Sequence, residues 1–276
     1  MSANAATAPS ASASALILLR EDVAGVAILT LNQPQTRNAL SEAMLEALGD
    51  ALAAIAHDES VRAVVLAANG PAYCAGHDLK ELSAHRSASD GGRAYFKHIM
   101  TMCSTMMQQI VTLPQPVVAA VQGAASAAGC QLVASCDLAI ASRAAKFATP
   151  GVHIGLFCST PMVALSRNVS PKHAMEMLLT GDLISAEEAA RIGLINRVVA
   201  TGRERDEAIK LARGIAEKSA LTVKIGKQGF YRQLGMPLAE AYEYVSGVMV
   251  ENMLKHDAEE GIGAFIGKRA PKWEDR

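Results

Sequence analysis

The sequence predicts an α/β fold, and three observations carry that expectation. Short β-rich runs alternate with segments whose apolar residues recur at helical spacing. Two glycine- and alanine-rich stretches, residues 74–79 (CAGHDL) and 123–132 (GAASAAGCQL), each sit where a strand gives way to a helix. Beyond residue 200 the β-rich runs disappear and long amphipathic segments take over. At 276 residues the chain can bury a large core and still shape a sizeable cleft.

Residues 1–15 are Ala, Ser, Thr, Pro and Asn after the initial Met, with no basic side chain, and read as a disordered tail. The β-rich pieces 16–19 and 23–31 bracket a polar turn at Arg20, Glu21 and Asp22, which predicts an opening hairpin. Ser41 can cap a helix with Met44, Leu45, Leu48, Leu52 and Ile55 on its apolar stripe, and residues 61–68 follow as a buried strand. The alternation continues with a helix over 95–111, a strand over 116–121, a helix beginning near Ala125 and a strand over 137–142. The small polar stretch from Ser87 to Gly92 is expected to be a mobile surface loop. Ser185 and Glu188 form a capping box for a short helix that Gly193 stops, and helical segments over 203–219, 221–234 and 238–256 complete the chain. The expected organisation is a tail over 1–15, an α/β core over 16–200 and a helical region over 201–276.

Lys and Arg total 26 against 27 Asp and Glu, so no basic field invites nucleic acid or an anionic membrane. Apolar residues come in short runs, and none approaches the roughly 18–20 residues that a membrane span needs. The five cysteines, 74, 103, 130, 136 and 158, are odd in number and show no CxxC pairing. They are expected to be buried free thiols inside the cell, with no metal site.

Gly76 permits a tight turn that leaves the His77 N–H pointing outward, and residues 125–129 bring unsatisfied N–H groups to the start of a helix. Two such elements converging on one oxygen would form an oxyanion hole. Small residues at these positions would equally let a helix pack closely on a strand.

Five segments fall in the order of motifs in one known family. They are residues 32–40 (NQPQTRNAL), 74–79, 123–137, 179–195 and 265–269 (FIGKR). On these the chain resembles the crotonase, or enoyl-CoA hydratase/isomerase, superfamily over nearly its whole length. The resemblance implies the crotonase-like (ClpP/crotonase) fold, with stacked ββα units in a spiral core and a C-terminal helical trimerisation region. It implies an acyl-CoA thioester substrate, whose carbonyl oxygen the backbone N–H groups of His77 and Ala128 hold as enolate charge develops. Arg37, Ala39, Ala75, Asp78 and Leu79 would line the substrate. Phe265 and Lys268 would approach the nucleotide end of coenzyme A from a neighbouring subunit of a homotrimer or homohexamer, although a solvated helix end is an equal reading of Lys268. Coenzyme A enters as part of the substrate, and no separate cofactor is expected.

The chain also departs from the pattern. Hydratases of this superfamily place glutamates where this sequence has Gln131 and Gly151. Gln131 can orient a water but cannot take its proton, and Gly151 offers no side chain. Ser159 falls where dienoyl-CoA isomerases carry a catalytic aspartate. His77 would serve as a base if its ring turned inward, or contribute its backbone alone. Cys158 reads as a small buried filler or as a nucleophile. The resemblance therefore implies an enoyl-CoA hydratase/isomerase-family protein, with a non-catalytic acyl-CoA-binding module and a thioester hydrolase using Ser126, Ser159 or Cys158 as alternatives. Animal members of the nearest subgroup are mitochondrial, but without an Arg-rich N-terminal segment the cytoplasm is the expected location here.

Overall fold

A computed structural model describes residues 16–276, so the tail expected over 1–15 lies outside the described residues. Strands β1 (Leu18–Val23) and β2 (Val26–Leu31) pair antiparallel around Ala24 and Gly25, whose φ values are 51° and 77°. The turn is therefore later than expected. A two-residue hairpin needs left-handed backbone, which Gly25 adopts freely, whereas Arg20, Glu21 and Asp22 simply continue an edge strand with their side chains in water.

Then come α1 (Glu42–Ala56), capped by Ser41 as expected, β3 (Ala63–Ala68), β4 (Ala72–Cys74), α2 (Leu79–Ala84) and α3 (Arg93–Thr112). Next are β5 (Val117–Val121), β6 (Ala124–Ser126), α4 (Ala128–Ser135), β7 (Leu138–Ser142), β8 (Lys146–Ala148) and α5 (Ser159–Leu165). The rest comprises α6 (Pro171–Thr180), β9 (Ile184–Ser185), α7 (Ala186–Arg191), β10 (Arg197–Val199), α8 (Glu204–Ala216), α9 (Ala220–Gln233), α10 (Leu238–Met253) and α11 (His256–Ile266).

One sheet has the order β1-β2-β3-β5-β7-β10, parallel beyond the opening hairpin, and a smaller one has β4-β6-β8-β9. Three times the chain runs through a strand of the large sheet, a strand of the small sheet, and then helix. This is the stacked ββα spiral that the sequence resemblance implied. Both faces of the large sheet are covered, so every residue of β2 is buried. Ala27, Leu29 and Leu31 face the main core with α1 and α3, while Val26 and Ile28 face Ala208 and Ala212 of α8. Those two alanines, one helical turn apart, let α8 lie close on the sheet.

The helix expected near Ala125 starts only at Ala128. Residues 124–126 are instead the middle strand of the small sheet, with Ala125 opposite both Cys74 and Phe147. Pairing on two sides overrides the helix preference of alanine. The 87–92 stretch, expected as a mobile loop, is a hydrogen-bonded turn in which the Asp90 carboxylate accepts the Gly92 and Ala94 N–H groups. The boundary expected at residue 200 falls between β10 and α8, and α8 itself closes the large sheet.

Two polar ties fasten the helical region to the core. Lys227 of α9 donates to the carbonyls of Ile110 and Gln115 (3.0 and 3.1 Å) and to Asp137 (2.7 Å), almost wholly out of water. The buried Asp257 carboxylate accepts the N–H groups of Glu274 and Asp275, and Asp275 in turn pairs with Arg62 just before β3.

Candidate active site

Parallel pairing of β4 with β6 brings the two small-residue stretches side by side. The chain leaves β4 through Ala75, Gly76 and His77, and residues 37–40 form a short ladder along it. The Ala75 N–H donates to the Arg37 carbonyl (3.0 Å) and the Leu40 N–H to the Gly76 carbonyl (2.8 Å), with Leu40 bridged to His77. Asn38 holds that ladder in place. Fully buried, it accepts the Gln33 N–H (2.8 Å) and donates to the Asn69 and Ala72 carbonyls (2.9 Å each).

Gly76 has φ 96°, and a Cβ there would lie 3.0 Å from the Ala127 Cβ and 3.4 Å from the Ala128 nitrogen. Glycine is therefore required twice, for its backbone angle and for the closeness of the second segment. A Cβ on Gly129 would collide with the Cys74 carbonyl oxygen. Ala127 adopts φ 50° and ψ −117°, a strained conformation for a residue with a Cβ. It is held there by donation of its N–H to the Ala148 carbonyl (2.9 Å) and by acceptance of the Gln131 N–H (3.0 Å). Among the described residues, neither the His77 N–H nor the Ala128 N–H donates to a protein acceptor. An amide at the first position of a helix has no intrahelical partner in any case.

Around these amides the expected side chains have mixed fates. Gln131 is 5 % exposed, and its Oε1 is buried without a partner. Gly151 lies in a turn that folds back on itself, its N–H donating to the Cys158 Sγ (3.3 Å). A Cβ on Gly151 would meet the Leu156 carbonyl oxygen at 2.9 Å and the Cys158 sulfur at 3.0 Å. The space a side chain would need there is already filled. Ser159 is exposed at the start of α5, with its hydroxyl donating to the Phe157 carbonyl (3.3 Å).

Both ring nitrogens of His77 are buried and unpartnered. Burial lowers the imidazole below its ordinary value of 6.5, and the nearby Leu40 carbonyl offsets part of that without a well-aligned hydrogen bond. The ring is therefore neutral near pH 7. All five cysteines are free and buried, and burial pushes the Cys158 thiol up, which opposes its use as a nucleophile.

Of the expected substrate contacts, Arg37, Ala75 and Leu79 are exposed around the His77 segment, and Ala39 is buried beneath it. The Asp78 carboxylate caps α2 by accepting the Lys80 and Glu81 N–H groups (2.9 and 3.2 Å), so its first task is structural. Phe265 and Lys268 lie at the end of α11, which packs on α9 and α10, and Phe265 is 86 % exposed. Three buried hydroxyls without partners among the described residues went unmarked in the sequence, one of them that of Tyr73 in β4. Thr149 is a residue before a proline and Tyr95 one position on a helical stripe, and both hydroxyls lack partners.

A stacked ββα spiral of this kind has the architecture of the crotonase superfamily. The chain belongs to the enoyl-CoA hydratase/isomerase family, whose model it matches over residues 21–276. It is 48 % identical to the rat protein named Enoyl-CoA hydratase domain-containing protein 3, mitochondrial, across 90 % of this chain and 81 % of that one. The crystal structure of an enoyl-CoA hydratase from Mycobacterium smegmatis is similar at 51 % identity and a TM-score of 0.88, covering 94 % of this chain and 99 % of that one. The crystal structure of human enoyl-CoA hydratase domain-containing protein 3 is similar at 44 % identity and a TM-score of 0.89, covering 94 % and 100 %. The subgroup resemblance thus agrees with the sequence reading.

The expected cytoplasmic location does not survive. Five relatives of that name, from rat to zebrafish, are mitochondrial proteins. The expectation rested on the composition of a short N-terminal stretch, which is independent of the folded body that these relatives share. No helix among the described residues is long and apolar enough to cross a membrane.

Proposed function

We propose that this protein binds an acyl-CoA thioester and stabilises its enolate with the backbone N–H groups of His77 and Ala128. The observation that carries this reading is the pair of unpartnered amides beside the close contact of Gly76 with Ala128. Preorganised donors cost no rearrangement as charge develops, and strain at Ala127 is what such preorganisation looks like in a backbone. Arg37, Ala39, Ala75 and Leu79 surround the same segment and suit a ligand gripped mainly by main chain.

Hydration is the nominal activity of the family, yet Gln131 cannot accept a proton. Each missing acid or base costs about 10²- to 10⁴-fold, so hydration of crotonyl-CoA is expected to run at least about 10⁴-fold below that of a two-glutamate hydratase. Assays with crotonyl-CoA and longer enoyl-CoAs, alongside calorimetric binding of the same esters, test both halves. Binding with slow turnover supports the reading, and absence of binding to every CoA ester removes it. The filled space at Gly151 favours one second reading, an acyl-CoA-binding module without turnover. A thioester hydrolase has the least support, because burial keeps the Cys158 thiol protonated and the Ser159 hydroxyl is engaged with a carbonyl.

The assembly proposed is a homotrimer or homohexamer. The terminal helices leave Leu238, Tyr242, Leu254 and Phe265 largely in water, more apolar surface than a solitary chain usually shows. Sedimentation equilibrium giving the mass of one chain would remove this proposal.

A further inference from the structure

Near Asp78, the residue after His77, a hydroxyl is buried without a well-aligned partner among the described residues. Tyr95 lies in the first turn of α3, and its ring stacks on His85 with centroids 3.4 Å apart and planes 8° from parallel. His85 is itself held by its Nδ1, 2.9 Å from the Glu81 carbonyl that accepts from it. The Tyr95 hydroxyl is thereby fixed out of water, without a well-aligned hydrogen bond among the described residues and with the Glu42 carboxylate as a near neighbour. A lost hydrogen bond of this kind is costly enough that its persistence calls for a use.

The surroundings of that hydroxyl point toward the free amides. Asp78, the neighbour of His77, caps α2, and the Glu81 Oε2 accepts the Glu42 N–H at 3.0 Å, joining the starts of α1 and α2. Glu42 lies two residues past Leu40, the residue bridged to His77. Burial, then the carboxylates of Glu81, Glu42 and Asp78, push the phenol up to about 12, so it carries its proton at neutral pH. On its far side the Glu42 Oε1 is 2.9 Å from the Nε2 of His98, whose ring is half exposed. A buried phenol, a carboxylate and a solvent-facing imidazole therefore lie in sequence.

We infer that Tyr95 is the proton-transferring residue of this site, with Glu42 and His98 as the positioning pair that connects it to solvent. The inference rests on the enolate reading above. As the enolate collapses, its electron pair forms a C–H bond at the α carbon with the phenol proton, the Tyr95 O–H bond breaks, and the oxygen held by His77 and Ala128 returns to a carbonyl. The phenolate then takes a proton from His98 by way of the Glu42 carboxylate, and water replaces the one that His98 gave up. In reverse, the same path removes an α proton, and this is what Gln131 and Gly151 cannot do.

The test is exchange of the α protons of butyryl-CoA in D2O, read by mass spectrometry, with calorimetric binding of butyryl-CoA measured in parallel. Tyr95→Phe keeps the stacked ring and is expected to slow exchange by about 10²- to 10⁴-fold with binding unchanged. His98→Ala, a surface change that should fold in any event, is expected to slow exchange and to be rescued by added imidazole. Unchanged exchange in Tyr95→Phe, binding without exchange in the unsubstituted protein, or a slow His98→Ala that imidazole fails to rescue overturns the inference. Failure of the unsubstituted protein to bind butyryl-CoA or any other CoA ester overturns the enolate reading instead, a separate result from the same calorimetry.

Discussion

Asn38 shows how one side chain sets the site without belonging to its chemistry. Its amide joins Gln33, Asn69 and Ala72, and the loop it fixes supplies both rungs of the ladder beside Gly76. Asn38→Ala would strand three backbone groups, one buried and two partly buried, and we expect a loss on the order of 3 kcal/mol, measured by urea denaturation. His77 gives a prediction in pH. Its folded-state value lies below 6.5, so above that pH both states are neutral and the residue has no effect. As pH falls from 6.5 toward the folded value only the unfolded chain takes the proton, and stability drops. Comparing denaturation at about pH 7.5 and about pH 5.5, the unsubstituted protein should lose more stability than His77→Gln. The structure brings Gly76 close to Ala127 and Ala128, and the two small-residue segments concerned were legible in the sequence. The capping duty of Asp78 and the orphaned hydroxyl of Tyr95 were not, since partners distant in sequence decide them.

Among the elements, β4 and α4 are locked by closeness rather than by large side chains. Gly129 has no room for even a methyl group against the Cys74 carbonyl. Gly129→Ala is therefore expected to cost about 1–3 kcal/mol through overpacking and to weaken acyl-CoA binding, visible together in thermal melts and calorimetry. A substitution on the solvent side of α4 is no substitute control, because every residue of that helix is buried. Periodicity revealed α1, α3, β3 and the terminal helices, which have long amphipathic or apolar patterns. It missed the strand at 124–126 because three small residues carry no period, and only pairing with β4 and β8 makes them β. The opening turn was misplaced for a similar reason. Charge at Arg20 to Asp22 suggested solvent, but an exposed strand edge is solvent too.

For the whole molecule, one of the two ties that hold the helical region to the core is a buried cation. Lys227 has all three of its donors placed, and its removal would leave the largely buried Asp137 carboxylate without its cation. Lys227→Met is expected to cost about 3–5 kcal/mol, with Asp137 left unpaired; a chemical denaturation midpoint close to that of the unsubstituted protein would show the tie to be dispensable. Since α9 to α11 carry the exposed apolar face, the same substitution should also loosen any assembly, seen as a lower mass at equal concentration in sedimentation. The α/β architecture was legible in the alternation of strands and helices and the spiral in the family resemblance, while this tie was invisible because residues 137 and 227 are joined only by folding.

The contact between Gly151 and Cys158 limits what substitution alone can do at this site. Placing glutamates at 131 and 151 would give the letters of a hydratase but not its geometry, because the Leu156 carbonyl and the Cys158 sulfur already stand where the second side chain must begin. The double substitution should fold worse than Gln131→Glu alone. Two-carboxylate chemistry at these positions therefore requires the loop to move as well as the two residues to change.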